Sequence, residues 1–257
     1  MYTTLGIVEV MPPIDSLLPR SPLAGIARRH FAGRPLLEWV VRRASDAHHL
    51  EQVVVVAGND PHSRSLASLA PGDARIVISD GRDPLARLAA VVREFPCQAV
   101  VRLSISDPFV DPILIDRLIT SAAADADCDY ACFCFHDRRP VPQSRVGVFA
   151  QWCRAEAVLQ ANRQARSPAD RSDPMRFVAN HGELFATKLI PVPLPLDRDD
   201  LRLGIADEED WENVQMILDA LGPESLDWQY ITALLDRNPN VCRRMAELNR
   251  AEATALV

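Results

Sequence analysis

The stretch that most constrains what this chain can fold into runs from Gln98 to Ile119, QAVVRLSISDPFVDPILIDRLI. Ala99, Val100, Val101, Leu103 and Ile105 make a short, nearly continuous apolar run rich in β-branched residues, the pattern of a strand buried on both faces of a parallel sheet. The run stops at Ser106-Asp107-Pro108. Asp111 then stands where a helix N-cap belongs and Pro112 at the first helical position, with Ile113, Leu114, Ile115, Leu118 and Ile119 as the inward face. Strand, acidic turn and helix in that order belong to an open α/β sheet, whose ligands bind beyond the carboxyl ends of the strands. Asp107 is thereby placed to hold a metal or a substrate; as a turn cap ahead of proline it would serve the backbone alone.

The rest of the chain repeats the pattern. A first strand is expected over Leu5 to Val10, a helix from Pro35 through Ala47, a strand from Gln52 to Ala57 and another from Arg75 to Ser79. A helix with Leu85, Leu88, Ala89, Val92 and Phe95 on its apolar face follows the turn Asp80-Gly81-Arg82-Asp83. This alternation predicts a doubly wound, mostly parallel α/β sheet. Asp129 to Phe135 reads as a fifth strand, after which the pattern loosens. Val146 to Phe149 reads as a short strand, Cys153 to Arg163 as a helix, and Leu184 to Ile190 and Leu201 to Ile205 as candidate strands. Asp207-Glu208-Glu209-Asp210 opens a helix through Leu221, its acids at the positive end of the helix dipole. Two amphipathic segments, Leu226 to Asp236 and Val241 to Leu256, end the chain. The expected division is an α/β domain over 1–222 and a helical extension over 223–257, packed on it or on a partner.

Composition narrows the functions. A net charge of −7 and a pI near 5.4 argue against general binding to nucleic acid or to a membrane surface, which needs a basic stripe. Lys188 is the sole lysine among 28 basic residues, so any grip on phosphate falls to arginine. No apolar run approaches the roughly 20 residues of a membrane span and the first residues carry no basic leader, which predicts a cytoplasmic protein. The six cysteines form no CxxC pair, and Cys132 and Cys134 alternate along a strand, as reduced, packed thiols do. With His136 they lack the second separated ligand pair of a closed zinc site. Trp39, Trp152, Trp211 and Trp228 read as core anchors on helices or their edges.

Between the first strand and first helix lies MPPIDSLLPRSPLAGIARRHFAGRP, a connection of about 25 residues, a length that points to a functional or a disordered segment. It holds Arg20, Arg28, Arg29 and Arg34 and sits where α/β nucleotide binders place phosphate-gripping loops, yet it matches neither GxGxxG nor a P-loop.

Four stretches carry a resemblance. AGRPLLEWVVRRA from Ala32 resembles GGKPLLEHVIERL, and DPLARLAAV from Asp83 resembles DVLxRYxxA. VVRLSISDPFVDPILID from Val100 resembles VVRITGDCPLIDPEIID, and LRLGIADEEDWENV from Leu201 resembles LRLTVDTPEDFELV. In this order and spacing they are similar to the cytidylyltransferase-like sugar nucleotidyltransferases. The nearest branch is that of spore-coat polysaccharide biosynthesis, related to the acylneuraminate and 3-deoxy-manno-octulosonate (KDO) enzymes that activate acidic sugars with CTP. The resemblance implies a Rossmann-like sheet of the nucleotide-diphospho-sugar transferase type with C-terminal helical segments, and a homodimer. It implies a reaction that joins a sugar hydroxyl to the α-phosphate of a nucleoside triphosphate and releases pyrophosphate, with Mg2+ on two carboxylates.

The residues it assigns are partly altered. In the first loop Leu23-Ala24-Gly25 matches the family's LPG, while Pro22 and Ile26 replace its arginine and lysine. Arg20, Arg28 and Arg29 are the catalytic candidates that would restore positive charge at the phosphates. Gly25, Asp83, Arg87 and Arg102 are the nucleotide-binding candidates, and Arg145 and Arg171 would meet a sugar carboxylate through bidentate pairs. Ser106 and Ala206 fall at the two metal aspartates, with Asp107 and Asp207 one position later as the metal candidates. A one-residue shift reverses a strand side chain's direction, though a turn can restore it. Two readings follow: a divergent sugar nucleotidyltransferase using CTP and an acidic sugar, or a non-catalytic homologue acting as a binding or regulatory partner in glycan synthesis.

Overall fold

The computed structural model describes residues 3–10, 25–81 and 83–255. Strand β1 spans Thr4–Glu9. A 3-10 turn at Ile26–Arg28 and a small antiparallel hairpin, β2 (His30–Phe31) with β3 (Arg34–Pro35), lead into helix α1, Leu36–Ser45. Then come β4 (Gln52–Gly58), α2 (Pro61–Ala67), β5 (Arg75–Ser79), α3 (Pro84–Glu94), β6 (Ala99–Leu103), α4 (Pro112–Ala123) and β7 (Tyr130–Cys134). The second half adds β8 (Gln151–Arg154), α5 (Ala155–Gln164), α6 (Pro168–Ser172), α7 (Arg176–Asn180) and β9 (Thr187–Pro191). It closes with α8 (Glu208–Leu221), α9 (Trp228–Asp236) and α10 (Pro239–Ala255).

Seven strands form one sheet in the order β5-β4-β1-β6-β8-β7-β9. The ladders β5-β4, β4-β1, β1-β6 and β7-β9 are parallel, and β8 runs antiparallel to both β6 and β7. The mostly parallel sheet with helices on both faces is the expected one. Alternation along β6 shows how it is covered. Ala99, Val101 and Leu103 face one buried cluster with α1, α4 and α8 to α10, while Val100 faces a second with α3, α5 and α7. Asp111 caps α4, its carboxylate accepting the Leu114 N–H at 3.0 Å, with Pro112 at the first position as the sequence requires. Ile231 and Leu235 of α9 and Cys242 and Met245 of α10 join the first cluster, so both C-terminal helices pack on the chain's own core. Among the described residues no helix is long and apolar enough to cross a membrane.

The second half departs from the expectations in four places. Val146 to Phe149 is not a strand, because Gly147 adopts φ +69 and turns the backbone. Leu201 to Ile205 is not a strand either: its N–H groups reach single loop carbonyls, Leu203 and Gly204 to Arg145 and Ile205 to Ser106, in place of a ladder. Trp152 and Cys153, expected at or in a helix, lie in β8, where Trp152 pairs with Val101 and is fully buried. The candidate strand at Leu184 starts at Thr187.

Candidate active site

At the carboxyl ends of β1 and β6, on the side covered by α3, α5 and α6, charged side chains replace the apolar ones. Arg102 pairs with Ile7 across the β1-β6 ladder, and Glu9 lies two residues on along the same face of β1. Arg87, from the first turns of α3, reaches Glu9 at 3.1 Å and the Gly81 carbonyl at 3.1 Å, and only 5% of its surface is exposed. Four residues earlier Asp83 caps α3, one carboxylate oxygen accepting the Ala86 N–H at 3.0 Å and the other bound by Arg171 of α6. Arg171 also donates to the Asn162 and Ala165 carbonyls and to the Asn162 side chain. Arg102 meets Asp173 at 3.7 Å, the loosest pair of the group. Asp83, Arg87, Arg102 and Arg171 are thus brought to one surface, each arginine facing a carboxylate.

The turn after β6 and the loop 201–207 form a second cluster. The Ile205 N–H donates to the Ser106 carbonyl at 2.8 Å, and the Leu203 and Gly204 N–H groups donate to the Arg145 carbonyl at 2.9 and 3.0 Å. The loops approach so closely that a Cβ at Gly147 would lie 2.3 Å from the Gly204 nitrogen, and one at Gly204 would lie 2.9 Å from an Asp107 carboxylate oxygen. Burial pushes the Asp107 carboxyl up to about 7 against the opposing charges of Arg145 and Arg102. Arg145 itself is bound by Glu252 of α10 through its Nε at 2.9 Å. Glu252 also accepts from Arg202 at 2.6 Å, and these two arginines hold its carboxyl down at about 2. Arg202, 3% exposed, makes a paired contact with the fully buried Asp210 at 2.6 and 3.0 Å. Asp207 caps α8, accepting the Asp210 N–H at 2.9 Å, and its other oxygen lies 3.6 Å from Arg202.

Other candidates lie apart. Arg28 donates to Ser65 of α2 at 2.7 Å, and Arg29 binds Glu208 at 2.6 Å while stacking over Trp211 at 4.7 Å. Gly25 holds φ +100 just ahead of the 3-10 turn, and Arg20 lies outside the described residues. Among the described residues no group of three or more His, Cys, Asp or Glu side chains is arranged to hold a metal. Asp207 has one oxygen in a helix cap and the other beside a guanidinium, and Ser106 and Ala206 bring no carboxylate. This donor set does not fit a magnesium ion clamped between two carboxylates. A cavity of about 800 Å3, bordered by Trp39, Arg42, Gln52, Ala74 and Pro223, opens at the amino ends of β4 and β5, away from both clusters.

Sequence reasoning missed Glu9, Asp173, Arg202, Asp210 and Glu252. Glu9 had a signal, a lone acid ending an apolar strand, and Asp210 stands at the last aspartate of the family's PED. Glu252 had none, since its partner Arg145 is 107 positions away.

Residues 27–182 match the family described as the MobA-like NTP transferase domain. The spore coat polysaccharide biosynthesis protein SpsF of Bacillus subtilis is 23% identical over 240 residues, 90% of this chain and 96% of that protein. The 3-deoxy-manno-octulosonate cytidylyltransferase of Bdellovibrio bacteriovorus is 30% identical over 131 residues, about half of each chain. In three dimensions a cytidylyltransferase from Leptospira borgpetersenii superposes with a TM-score of 0.79 at 16% identity, covering 94% of this chain and 96% of its own.

Proposed function

The chain belongs to the MobA-like NTP transferase domain family, and from that premise we propose that it is a divergent sugar nucleotidyltransferase. It binds a nucleoside triphosphate, CTP before the others, at the carboxyl ends of β1 and β6 and activates an acidic sugar for surface-glycan synthesis. The observation that carries this reading is the placing of Arg102 and Arg171, with the buried Arg87 beside them, around the capped start of α3, in the part of the sheet where α/β proteins bind their ligands. The curated relatives, one named for coat polysaccharide synthesis and one as a cytidylyltransferase of an acidic sugar, support the substrate classes.

In the reaction a sugar hydroxyl gives its proton to solvent and its oxygen bonds to the α-phosphorus while the bond to the bridging oxygen of the β-phosphate breaks, and pyrophosphate leaves with the electron pair. The protein's part is charge and alignment. Arg102, held only by a 3.7 Å pair, is the guanidinium most available to phosphate oxygens, Arg171 is oriented by Asp83, and the buried Arg87 adds positive charge behind them while paired with Glu9. Arg28 and Arg29, bound to Ser65 and Glu208, and Arg20 are the further candidates for phosphate charge. Arg145 meets the sugar carboxylate.

A second reading, a non-catalytic homologue that keeps the fold and acts as a partner in glycan synthesis, is favoured by one observation. Ser106 and Ala206 stand at the two positions the resemblance gives to metal carboxylates, and Asp207 is committed to α8. Calorimetric titration with CTP, ATP, GTP and UTP, each with and without magnesium, is followed by a pyrophosphate-release assay with 3-deoxy-manno-octulosonate and other acidic sugars. Selective CTP binding with pyrophosphate release is the result expected of the transferase. Nucleotide binding without turnover transfers support to the non-catalytic reading, and no binding by folded protein overturns the transferase.

A further inference from the structure

Glu252 stands three residues from Ala255, the end of α10, where the helix's partial negative charge opposes a carboxylate. It is balanced there by two arginines from distant parts of the chain, Arg145 at 2.9 Å and Arg202 at 2.6 Å. Two guanidinium groups converging on one carboxylate make a receptor for that chemical group whatever molecule carries it. We propose that Arg145 and Arg202 form a carboxylate-binding site whose resident occupant is the chain's own Glu252, and that an acidic ligand enters by exchanging with it. This rests on the reading of Arg145 as the group that meets an acidic sugar.

Arg202 and the backbone of Arg145 are anchored independently of Glu252. Arg202 is fixed by its paired contact with the buried Asp210, so its remaining N–H stays aimed when Glu252 leaves. The backbone at Arg145 is fixed by the Leu203 and Gly204 N–H groups on its carbonyl. Glu252 lies beyond the anchors of α10: Cys242 and Met245 are buried in the core, and Asn249 donates to the Asp199 and Leu201 carbonyls at 2.9 and 3.0 Å. Exchange therefore asks only the last helical turn to open, and helix ends open at low cost. With Glu252 withdrawn, Arg145 has no other ion-pair partner among the described residues. The site is continuous with the turn after β6: Gly204, whose N–H donates to the Arg145 carbonyl, approaches Asp107 so closely that a Cβ there would lie 2.9 Å from its carboxylate oxygen.

The probe is oxalate, a bare dicarboxylate, titrated calorimetrically into the wild-type chain, Glu252→Gln, Glu252→Ala, and each of these combined with Arg145→Gln, with thermal melts to show that every variant is folded. The expected result is binding about tenfold or more tighter in the Glu252 variants, because the competing carboxylate no longer occupies the site, and loss of that gain with Arg145→Gln. Equal affinity in wild type and both Glu252 variants, a gain that survives Arg145→Gln, or no binding to any variant overturns the site. Titration of the same proteins with 3-deoxy-manno-octulosonate separates the two readings. An oxalate gain without sugar binding leaves the carboxylate site standing and removes the acidic sugar, and sugar binding without the oxalate gain does the reverse.

Discussion

The parallel half of the sheet, β5-β4-β1-β6, and the mixed half, β8-β7-β9, are held by different rules. In the first, every ladder is parallel, and the charged side chains of the candidate site pair one to one with partners on elements packed beside them, as Arg87 does with Glu9 and Arg171 with Asp83. In the second, long loops are drawn together by backbone approach at Gly147 and Gly204 and by ion pairs reaching to the last helix. Asp83, Arg87 and Arg102 stand in register with the motifs that carry the resemblance, whereas around Arg145, Ala206 and Asp207 those motifs are altered. Substitution should therefore be costlier in the second half, where one contact joins several distant segments.

The largest contrast is between two left-handed glycines. Gly147→Ala places a methyl 2.3 Å from the Gly204 backbone nitrogen at φ +69, and should cost about 4 kcal/mol or more. Gly33→Ala, at φ +76 with open space around it, should cost only about 1–2 kcal/mol, the left-handed penalty alone. Urea unfolding measures both, and equal losses would break the comparison. Next come two buried arginines. Arg202→Met leaves Asp210, fully buried, without its cation and should cost about 3–5 kcal/mol. Arg87→Met leaves Glu9, 18% exposed and able to hydrate, and should cost about 1.5–3 kcal/mol. A reversed order in the same unfolding experiment would show that the parallel half carries the more tightly coupled charge. The last contrast is a pH dependence. Glu252 has its carboxyl lowered from 4.5 to about 2 in the folded chain, so its stabilisation is complete above about pH 4.5 and fades as the pH falls toward 2. Between those values wild type should lose stability more steeply than Glu252→Gln, and superimposable acid profiles would remove Glu252 from the ion-pair network.

What the sequence made legible follows the same division. The bounds of β5 agree with expectation, and Asp111-Pro112 opens α4 as read, because strand burial and helix capping are local and leave local patterns. β8 was missed because its four residues pair with β6, some 50 positions earlier, and neither neighbour is signalled by QWCR. At the site the arginines were legible as cations and their partners were not, since Glu208 and Glu252 meet Arg29 and Arg145 across 179 and 107 positions. The aligned motifs placed Asp107 and Asp207 beside the metal positions. Asp207 was legible at the start of α8, but nothing signalled that its second oxygen lies beside Arg202 or that α10 supplies a carboxylate to Arg145.

The place of β8 also sets a timetable for synthesis. β6 has its outer edge open until β8 exists, and Leu103 and Gln151 are separated by 48 positions. At about 5–20 residues per second the ribosome leaves that edge uncovered for roughly 2–10 s. During this interval the wholly apolar β7, YACFC, has already emerged and presents a tempting wrong neighbour. A nascent chain of this topology is therefore exposed to strand mispairing while half made, and slow decoding between residues 135 and 150 would lengthen its need for a chaperone.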